Sequence, residues 1–563
     1  MTITGKSDDH IRVAHLPSNR APNEFKEGIM RRVSVLACLR ALAPLVLIIS
    51  SVAIADQDGS AGTVLTADGP LLGTTSADGK IQVFRGIPFA APPVGDLRWK
   101  APEPVKAWKA VRLAENYGPS CMQHLSRSRP PWTAEYMTQN EDSEDCLYLN
   151  VWAPLSSANR KLPVFVWIFG GGFSEGSGEV PVYDGTELAR TGMIVVTFNY
   201  RVGVFGFLAH PELTAESTHH SSGNYGLLDQ VAALQWVNLN IQAFGGDTSR
   251  ITICGQSAGA ASVHALIASP LAKGLFERGI AESGSGMIGF PLLLLAEAEQ
   301  RGQAFAAEYG AHSMRELRAM SADALMVERK QGSSPSILFP PNFDGWFYPE
   351  APDRILAEGK QNDVPLITGL TADDFRLMSG VPLSAEAFRK QAAERYGAMA
   401  SDFLKLYPAG SDEEALRSQS ESARDRGRVS MYAWVLSLAP KSRAPVYTYY
   451  FTRVMPYPEH PEFGAFHSVE VPYVFRNLAI FDRPFQPIDR RISEVISSYW
   501  RVFAETGNPN GQDLPRWSAA SSENATTMDI GDHIGEIPVA AKEKLRFWQR
   551  YFDSAMSKNA PLF

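Results

Sequence analysis

Cysteine is scarce in this chain, four among 563 residues, so no dense disulfide framework substitutes for a hydrophobic core. Neither the cysteines nor the eleven histidines cluster at metal-ligand spacing, so no metal and no organic cofactor is expected. Runs of Lys and Arg interleaved with aromatics are missing, and the formal net charge is -8. That removes the electrostatic footprint of a phosphate backbone, and nucleic acid is not an expected partner. There is no internal repeat, no long low-complexity tract and no charge block of the kind that forms a tail. What remains is ordinary globular material, 45% hydrophobic and 20% charged, enough to bury a large core without a partner.

The N-terminal region carries the first informative segment. From Met30, Arg31 and Arg32 precede the apolar run 41–54 and the small-residue site Ala53-Ile54-Ala55, the pattern of a signal peptide cut before Asp56. The run is short for a membrane span and is followed by polar Asp56-Gln57-Asp58-Gly59-Ser60, so stable membrane insertion of the mature chain is not expected; an uncleaved anchor is the alternative. Residues 1–29 carry Asp8, Asp9, Glu24 and Glu27, which suit no signal-peptide start, and read as an over-extended or non-native leader ahead of a natural start at Met30. Leu36-Ala37-Cys38 resembles a lipoprotein site but lies before the apolar run, where such a site does not belong. The expected organisation is therefore a leader over 1–29, a signal peptide over 30–55 and one domain over 56–563, exported to the periplasm or the medium. Without Cys38, an oxidising compartment would favour one pairing among Cys121, Cys146 and Cys254. Cys121 and Cys146 flank a stretch rich in Pro, Ser, Asn and charge, whereas Cys254 ends the β-branched run Ile251-Thr252-Ile253; the pair expected is Cys121 with Cys146.

The middle of the chain alternates short apolar runs with turn residues and amphipathic stretches, the rhythm of a mostly parallel sheet wrapped by helices. Strands are expected over 163–169, 193–199, 250–254 and 365–369. Leu227, Leu228, Val231, Leu234, Val237 and Ile241 recur at helical spacing and stop near Gly245-Gly246. Residues 290–440, rich in Ala, Glu, Arg and Leu, read as helices inserted over the sheet.

Gly-x-Ser-x-Gly occurs twice, around Ser174 and around Ser257. The motif's mechanical meaning is a tight bend between a strand and a helix, with glycines where the strained backbone has no room for Cβ atoms. Only Ser257 has the strand run 251–254 before it and a small-residue helix, 258–269, after it; the copy at Ser174 runs into Gly176, Gly178 and Pro181 and reads as a loop. A serine hydroxyl is a poor nucleophile near neutral pH and needs a base, together with donors for the oxyanion it creates. Gly170-Gly171-Gly172, at the end of the apolar run 164–168, is a candidate for those donors, with a plain flexible turn as the alternative.

Further segments carry a resemblance to a known family: Phe84-Arg85-Gly86-Ile87-Pro88-Phe89-Ala90, Ser143-Glu144-Asp145-Cys146-Leu147-Tyr148-Leu149-Asn150-Val151, Phe198-Asn199-Tyr200-Arg201-Val202-Gly203, Gly223-Asn224-Tyr225-Gly226-Leu227-Leu228-Asp229-Gln230, Phe244-Gly245-Gly246-Asp247, the Ser257 bend and Gly464-Ala465-Phe466-His467-Ser468-Val469-Glu470-Val471-Pro472-Tyr473. In this order and over nearly the whole mature length, the chain resembles the type-B carboxylesterases, the group that includes the cholinesterases; the leader fits an exported bacterial member. The resemblance implies an α/β-hydrolase fold with a central, mostly parallel twisted sheet flanked by helices and a helical insertion over the active-site gorge. It implies Ser257 as nucleophile, His467 as base, the N–H groups of Gly171, Gly172 and Ala258 as oxyanion donors, and a disulfide-closed Cys121–Cys146 loop bordering the gorge. Where the family has an acidic residue, this chain offers Asp373-Asp374-Phe375; the matching position is Asp374, and Asp373 is the second choice.

The implied activity is hydrolysis of carboxylic esters through an acyl-enzyme, on small to medium uncharged or aryl and alkyl esters. A lipase acting on longer acyl chains, or an inactive adhesion protein on the same fold, are the alternatives. Gln256 stands where the family usually has Glu, and Tyr136 where choline-hydrolysing members carry Trp. Both departures remove what holds a quaternary ammonium, so an uncharged or anionic ester fits better. Oligomeric state and acyl preference are not legible.

Overall fold

Eleven strands build the central sheet of the computed structural model, which describes residues 62–155, 160–284, 292–326, 339–374, 383–438 and 441–556. The expected leader, signal peptide and cleavage site lie outside these residues. In chain order the strands are β1 (Thr74–Thr75), β2 (Ile81–Pro88), β3 (Tyr148–Pro154), β4 (Leu162–Ile168), β5 (Ile194–Phe198), β6 (Gly246–Gln256), β7 (Arg278–Glu282), β8 (Leu366–Thr371), β9 (Val446–Phe451), β10 (Thr526–Ile530) and β11 (Ile534–Pro538). Their spatial order is 11-10-9-8-7-6-4-5-3-2-1. From β5 across to β10 every pairing is parallel, while the pairs at both edges are antiparallel.

The sequence explains the difference between centre and edge. Leu162–Ile168 and Ile194–Phe198 are buried at every position, as strands covered on both faces must be, and both are runs of Val, Ile and aromatics with almost no alternation. The edge strand Ile534–Pro538 has no buried residue at all. Four of the central strands coincide with the apolar runs expected from sequence. The third is longer than expected, because Gly255 and Gln256 stay in the ladder against Ile168, Ala281 and Glu282 right up to the bend.

Helices cover the sheet: α1 (Tyr225–Asn240), α2 (Ala258–Ala268), α3 (Ala385–Tyr396), α4 (Ala400–Leu406), α5 (Asp412–Leu438), α6 (Pro487–Thr506) and α7 (Lys542–Met556). The Cβ direction alternates along β6, and this assigns faces. A side chain on Gly255 would meet α2, whereas Cys254 points the other way, toward Glu282 and Trp500 of α6. α6 buries Ile492, Val495, Ile496, Tyr499, Trp500 and Phe503, a helical stripe that begins after Pro487 at its first position and ends at Gly507 with φ 77°. α3, α4 and α5 share a second, smaller apolar cluster with α7, in which Phe388, Phe403, Tyr407, Phe547 and Trp548 are buried.

Register sets where the site forms. Ile168 is level with Gly255, and Gln256 is level with Glu282, which is in turn level with Gly369. The carboxyl ends of β4, β6, β7 and β8 therefore stop together, and the loops leaving them meet outside one edge of the sheet. Parallel sheets place ligand sites there because successive loops emerge on the same side.

Candidate active site

Ser257 follows β6 directly and caps α2, with φ 58° and ψ -120°, a conformation L residues seldom hold. The two flanking glycines make it possible. A Cβ on Gly255 would lie 2.4 Å from the Gly259 carbonyl oxygen, and one on Gly259 would lie 2.0 Å from the Ile168 carbonyl oxygen, both unyielding backbone atoms. The Ser257 N–H donates to the Glu282 carbonyl at 2.9 Å, tying the bend to the next strand. The second copy of the motif behaves as a loop: Ser174 sits in a turn, and its hydroxyl donates to the Gly172 carbonyl at 3.3 Å.

The loop after β4 brings Gly171 and Gly172 to the same edge, with φ 108° and 64°. A Cβ on Gly171 would lie 2.1 Å from the Glu175 carbonyl oxygen, so glycine is required there on both counts. Among the described residues no protein acceptor takes the N–H of Gly171 or Gly172. The N–H of Ala258, first in α2, has no partner within its own helix. These are free donors, and one of them carries the positive end of a helix dipole.

His467 lies in a turn sixteen residues beyond β9, and its Nδ1 faces Asp374 Oδ1 in a short hydrogen bond. Asp374 is buried, and its other oxygen accepts the Thr371 N–H at 3.2 Å. Asp373, the second choice from sequence, is committed elsewhere. Its Oδ1 accepts from Arg424 Nη2 at 2.6 Å and its Oδ2 from the Ala465 N–H at 2.9 Å, so it braces the histidine segment from behind. A Cβ on Gly464, at φ 61°, would fall 2.2 Å from that same Oδ2.

The expected hydrogen bond between His467 and the Ser257 hydroxyl is not made in this resting geometry. Instead Gln256 Nε2 stands 3.1 Å from His467 Nε2 and 3.5 Å from Nδ1. An atom along the in-plane lone pair of Nε2 would be far more distant from Nδ1 than from Nε2. Near-equal distances therefore put the amide beside the ring, between the two nitrogens, and leave the lone pair itself uncovered. With Nδ1 turned to Asp374, that lone pair is the basic one.

Three groups around this centre carried no role in the sequence reading. Glu282, fully buried, accepts from Trp500 Nε1 at 2.8 Å and from the Cys254 thiol at 3.4 Å; burial pushes its carboxyl up to about 7. Glu470, also fully buried, accepts from the Ser283 hydroxyl at 3.1 Å, and burial, with the charges of Glu282 and Asp374, holds it well above the usual carboxylate range. Desolvation thus favours the neutral form of both. Their signal was faint: Glu470 sits inside a quoted motif without a role, and Glu282 only ends a strand. The third is Trp132, whose indole N–H donates to the His467 carbonyl at 3.1 Å, its ring nearly perpendicular to the imidazole at 6.5 Å between centroids. Nothing in its polar surroundings marked it.

The Trp132 loop is closed by a disulfide between Cys121 and Cys146, twenty-five residues apart, while Cys254 is free and buried. Tyr136, in the same loop, is buried against Phe481 and Phe466 at 5.3 and 6.1 Å between ring centroids. A cavity of ≈ 320 Å³ runs along α2, bordered by Phe173, Ala261, His264, Gly284 and Trp434 among others. Phe173, next to the glycine loop, lines it, whereas Ser257, His467 and Asp374 do not. Among the described residues no group of three or more His, Cys, Asp or Glu is placed to hold a metal ion, and no helix is long and apolar enough to cross a membrane.

Comparison with known proteins identifies the family. Residues 60–548 match the profile of the carboxylesterase family. The fumonisin B1 esterase of Sphingopyxis macrogoltabida is 35% identical over 81% of this chain and 85% of its own length. The para-nitrobenzyl esterase of Bacillus subtilis (strain 168) is 36% identical over 84% of this chain and 95% of its own. Among solved structures, a thermophilic PNB esterase superposes with a TM-score of 0.71 at 34% identity, covering 87% of this chain and all of that one. The family profile spans most of the sequence, and these similar proteins are esterases over most of their own length: the chain belongs to the carboxylesterase family and is a carboxylic ester hydrolase.

Proposed function

We propose that this enzyme cleaves esters by acyl transfer to Ser257, with His467 as general base, Asp374 as its partner, and the N–H groups of Gly171, Gly172 and Ala258 as the oxyanion hole. One juxtaposition carries the reading: an imidazole fixed at Nδ1 by a buried carboxylate, its Nε2 lone pair uncovered, standing against the residue that precedes a strained serine. Nε2 takes the hydroxyl proton as Ser257 attacks the ester carbonyl, and Asp374 stabilises the imidazolium so formed. The three amides hold the oxyanion without reorganising. The imidazolium returns its proton to the departing alcohol, and a water activated by the same nitrogen then releases the acid. The Ser257 hydroxyl makes no hydrogen bond to His467 at rest, and catalytic hydrogen bonds often tighten only on substrate binding.

The substrates are small to medium aryl or alkyl esters without a cationic group. The neutral amide of Gln256, beside the imidazole where a carboxylate would favour a cation, supports this choice. Export belongs to the same proposal, supported by the leader pattern and by a disulfide that suits an oxidising compartment; N-terminal sequencing of the exported protein should begin at or near Asp56. The mechanism is tested with nitrophenyl and natural aryl esters of graded acyl length. Ser257→Ala should lower kcat roughly 10⁶-fold with the fold intact by circular dichroism. Turnover surviving in that variant rejects the mechanism.

A further inference from the structure

Residues 129–132 form a tight turn in which the Arg129 N–H donates to the Trp132 carbonyl at 2.7 Å and the Trp132 N–H to the Arg129 carbonyl at 2.9 Å. The turn sets a cation and an aromatic ring side by side at the rim of the site, with the guanidinium 5.4 Å from the indole. Trp132 reaches inward to the His467 backbone. Arg129 reaches across to the other half of the site, where its Nη2 donates to Glu175 Oε1 at 2.5 Å. Glu175 belongs to the glycine loop, its own N–H donating to the Gly171 carbonyl at 3.1 Å. The guanidinium therefore stands between the segment that holds the base and the segment that holds the oxyanion donors.

This ion pair does not exhaust the guanidinium. Arginine has five N–H donors in a planar fork, and a single Nη2 bond to Glu175 is all that the Arg129 guanidinium gives to described side chains and backbone. Its side chain is 55% exposed, against 25% for Glu175. The Nε and Nη1 donors, on opposite sides of the guanidinium, make no bond to described residues, and the exposed side chain stands at the mouth of an esterase site. The floor below is neutral where a carboxylate would repel an anion, because position 256 is Gln and buried.

We propose that Arg129, backed by Trp132, is a specificity-determining residue that binds a carboxylate carried by the ester substrate, in its acyl or its alcohol part. The inference rests on Ser257-dependent ester hydrolysis and names the substrate class of that site. Glu175 holds the guanidinium in place and partly competes with the substrate for it. Trp132 ties the arginine turn to the base, so anchoring the substrate charge also orients the ester relative to His467.

Two matched substrate pairs separate the cases. Nitrophenyl butyrate against the nitrophenyl monoester of glutaric acid places the carboxylate in the acyl part; the butyrate esters of 4-hydroxybenzamide and 4-hydroxybenzoate place it in the alcohol part. The readout is the ratio of kcat/KM between the anionic and neutral member. Arg129→Gln should lower that ratio about tenfold in at least one pair, Arg129→Lys should restore part of it, and Glu175→Gln should raise it. High salt should shrink the wild-type ratio and leave that of Arg129→Gln flat. Ratios unmoved by Arg129→Gln in both pairs, or neutral and anionic members lowered by the same factor, overturn the proposal while ester hydrolysis at Ser257 stands. Wild-type turnover that persists in Ser257→Ala would instead overturn the underlying mechanism, and this inference with it.

Discussion

The floor and the rim of the site are built in opposite ways. On the floor, Ser257, Asp374 and the Gly171–Gly172 loop leave strands β6, β8 and β4, whose ends are kept level by paired register, and carboxyls around them are buried. On the rim, Arg129 and Trp132 sit on a disulfide-closed loop, one exposed and the other half-buried, fastened by single hydrogen bonds to His467 and Glu175. Chemistry that depends on fractions of an ångström rests on the sheet. Selection among substrates, which tolerates more movement, rests on a loop.

The largest effect should come from the floor. Asp374→Asn keeps the shape but forces the wrong tautomer on His467, and kcat should fall roughly 10⁴-fold with little change in KM. Asp373→Asn, which loosens the brace to Arg424 and Ala465, should cost far less; stopped assays on both variants decide between them, and a larger loss at Asp373 would reverse the assignment.

Next comes backbone geometry. Gly259→Ala places a methyl group 2.0 Å from the Ile168 carbonyl and should lower stability by about 3 kcal/mol or more, read from denaturant unfolding. Gly172→Ala meets nothing within 4 Å and has only its positive φ to oppose it, so the expected loss is about 1 kcal/mol. Similar losses at the two positions would mean that the bend is less tightly packed than the floor requires.

Opening the rim should act differently. Replacing Cys121 and Cys146 by serine frees a loop spanning twenty-five residues and should cost about 3 kcal/mol. Because the loop carries Trp132 and Arg129 but none of the groups that move protons, KM should rise more than kcat falls. A fall confined to kcat would make the rim part of the chemical machinery and erase the contrast.

The smallest effect is electrostatic. Glu282, at about 7 in the folded state against 4.5 for an ordinary Glu, binds its proton more tightly when folded. Its contribution is fully present below pH 4.5 and is lost as pH rises through 7, because the unfolded chain gains by ionising first. Glu282→Gln should flatten this part of the stability profile, seen as a Tm gain over wild type at pH 8 that shrinks or reverses at pH 5. An unchanged slope would show that Glu282 is ionised in the fold.

Much of this was legible in the chain itself. The apolar runs 163–169 and 193–199 dictate fully buried strands, because only a sheet covered on both faces accommodates so little polarity. The Ser257 bend was readable because its neighbours on both sides, a β-branched run and a small-residue helix, exclude the alternative at Ser174. His467 and the two adjacent aspartates were legible only through their resemblance to a family. Choosing between Asp373 and Asp374 takes three dimensions, since successive residues leaving a strand point to different surroundings. One meets Arg424, the other the imidazole.

Local forces are written in the order of residues, and so strands, the bend and its glycines followed from sequence alone. The burial of Glu282 and Glu470, the placing of the Gln256 amide beside the imidazole, and the contacts of the Arg129–Trp132 turn with the glycine loop and the His467 backbone arise between segments tens to hundreds of residues apart. No local preference encodes such distances. They are set by which strands pair, in what register, and by the desolvation that this packing imposes.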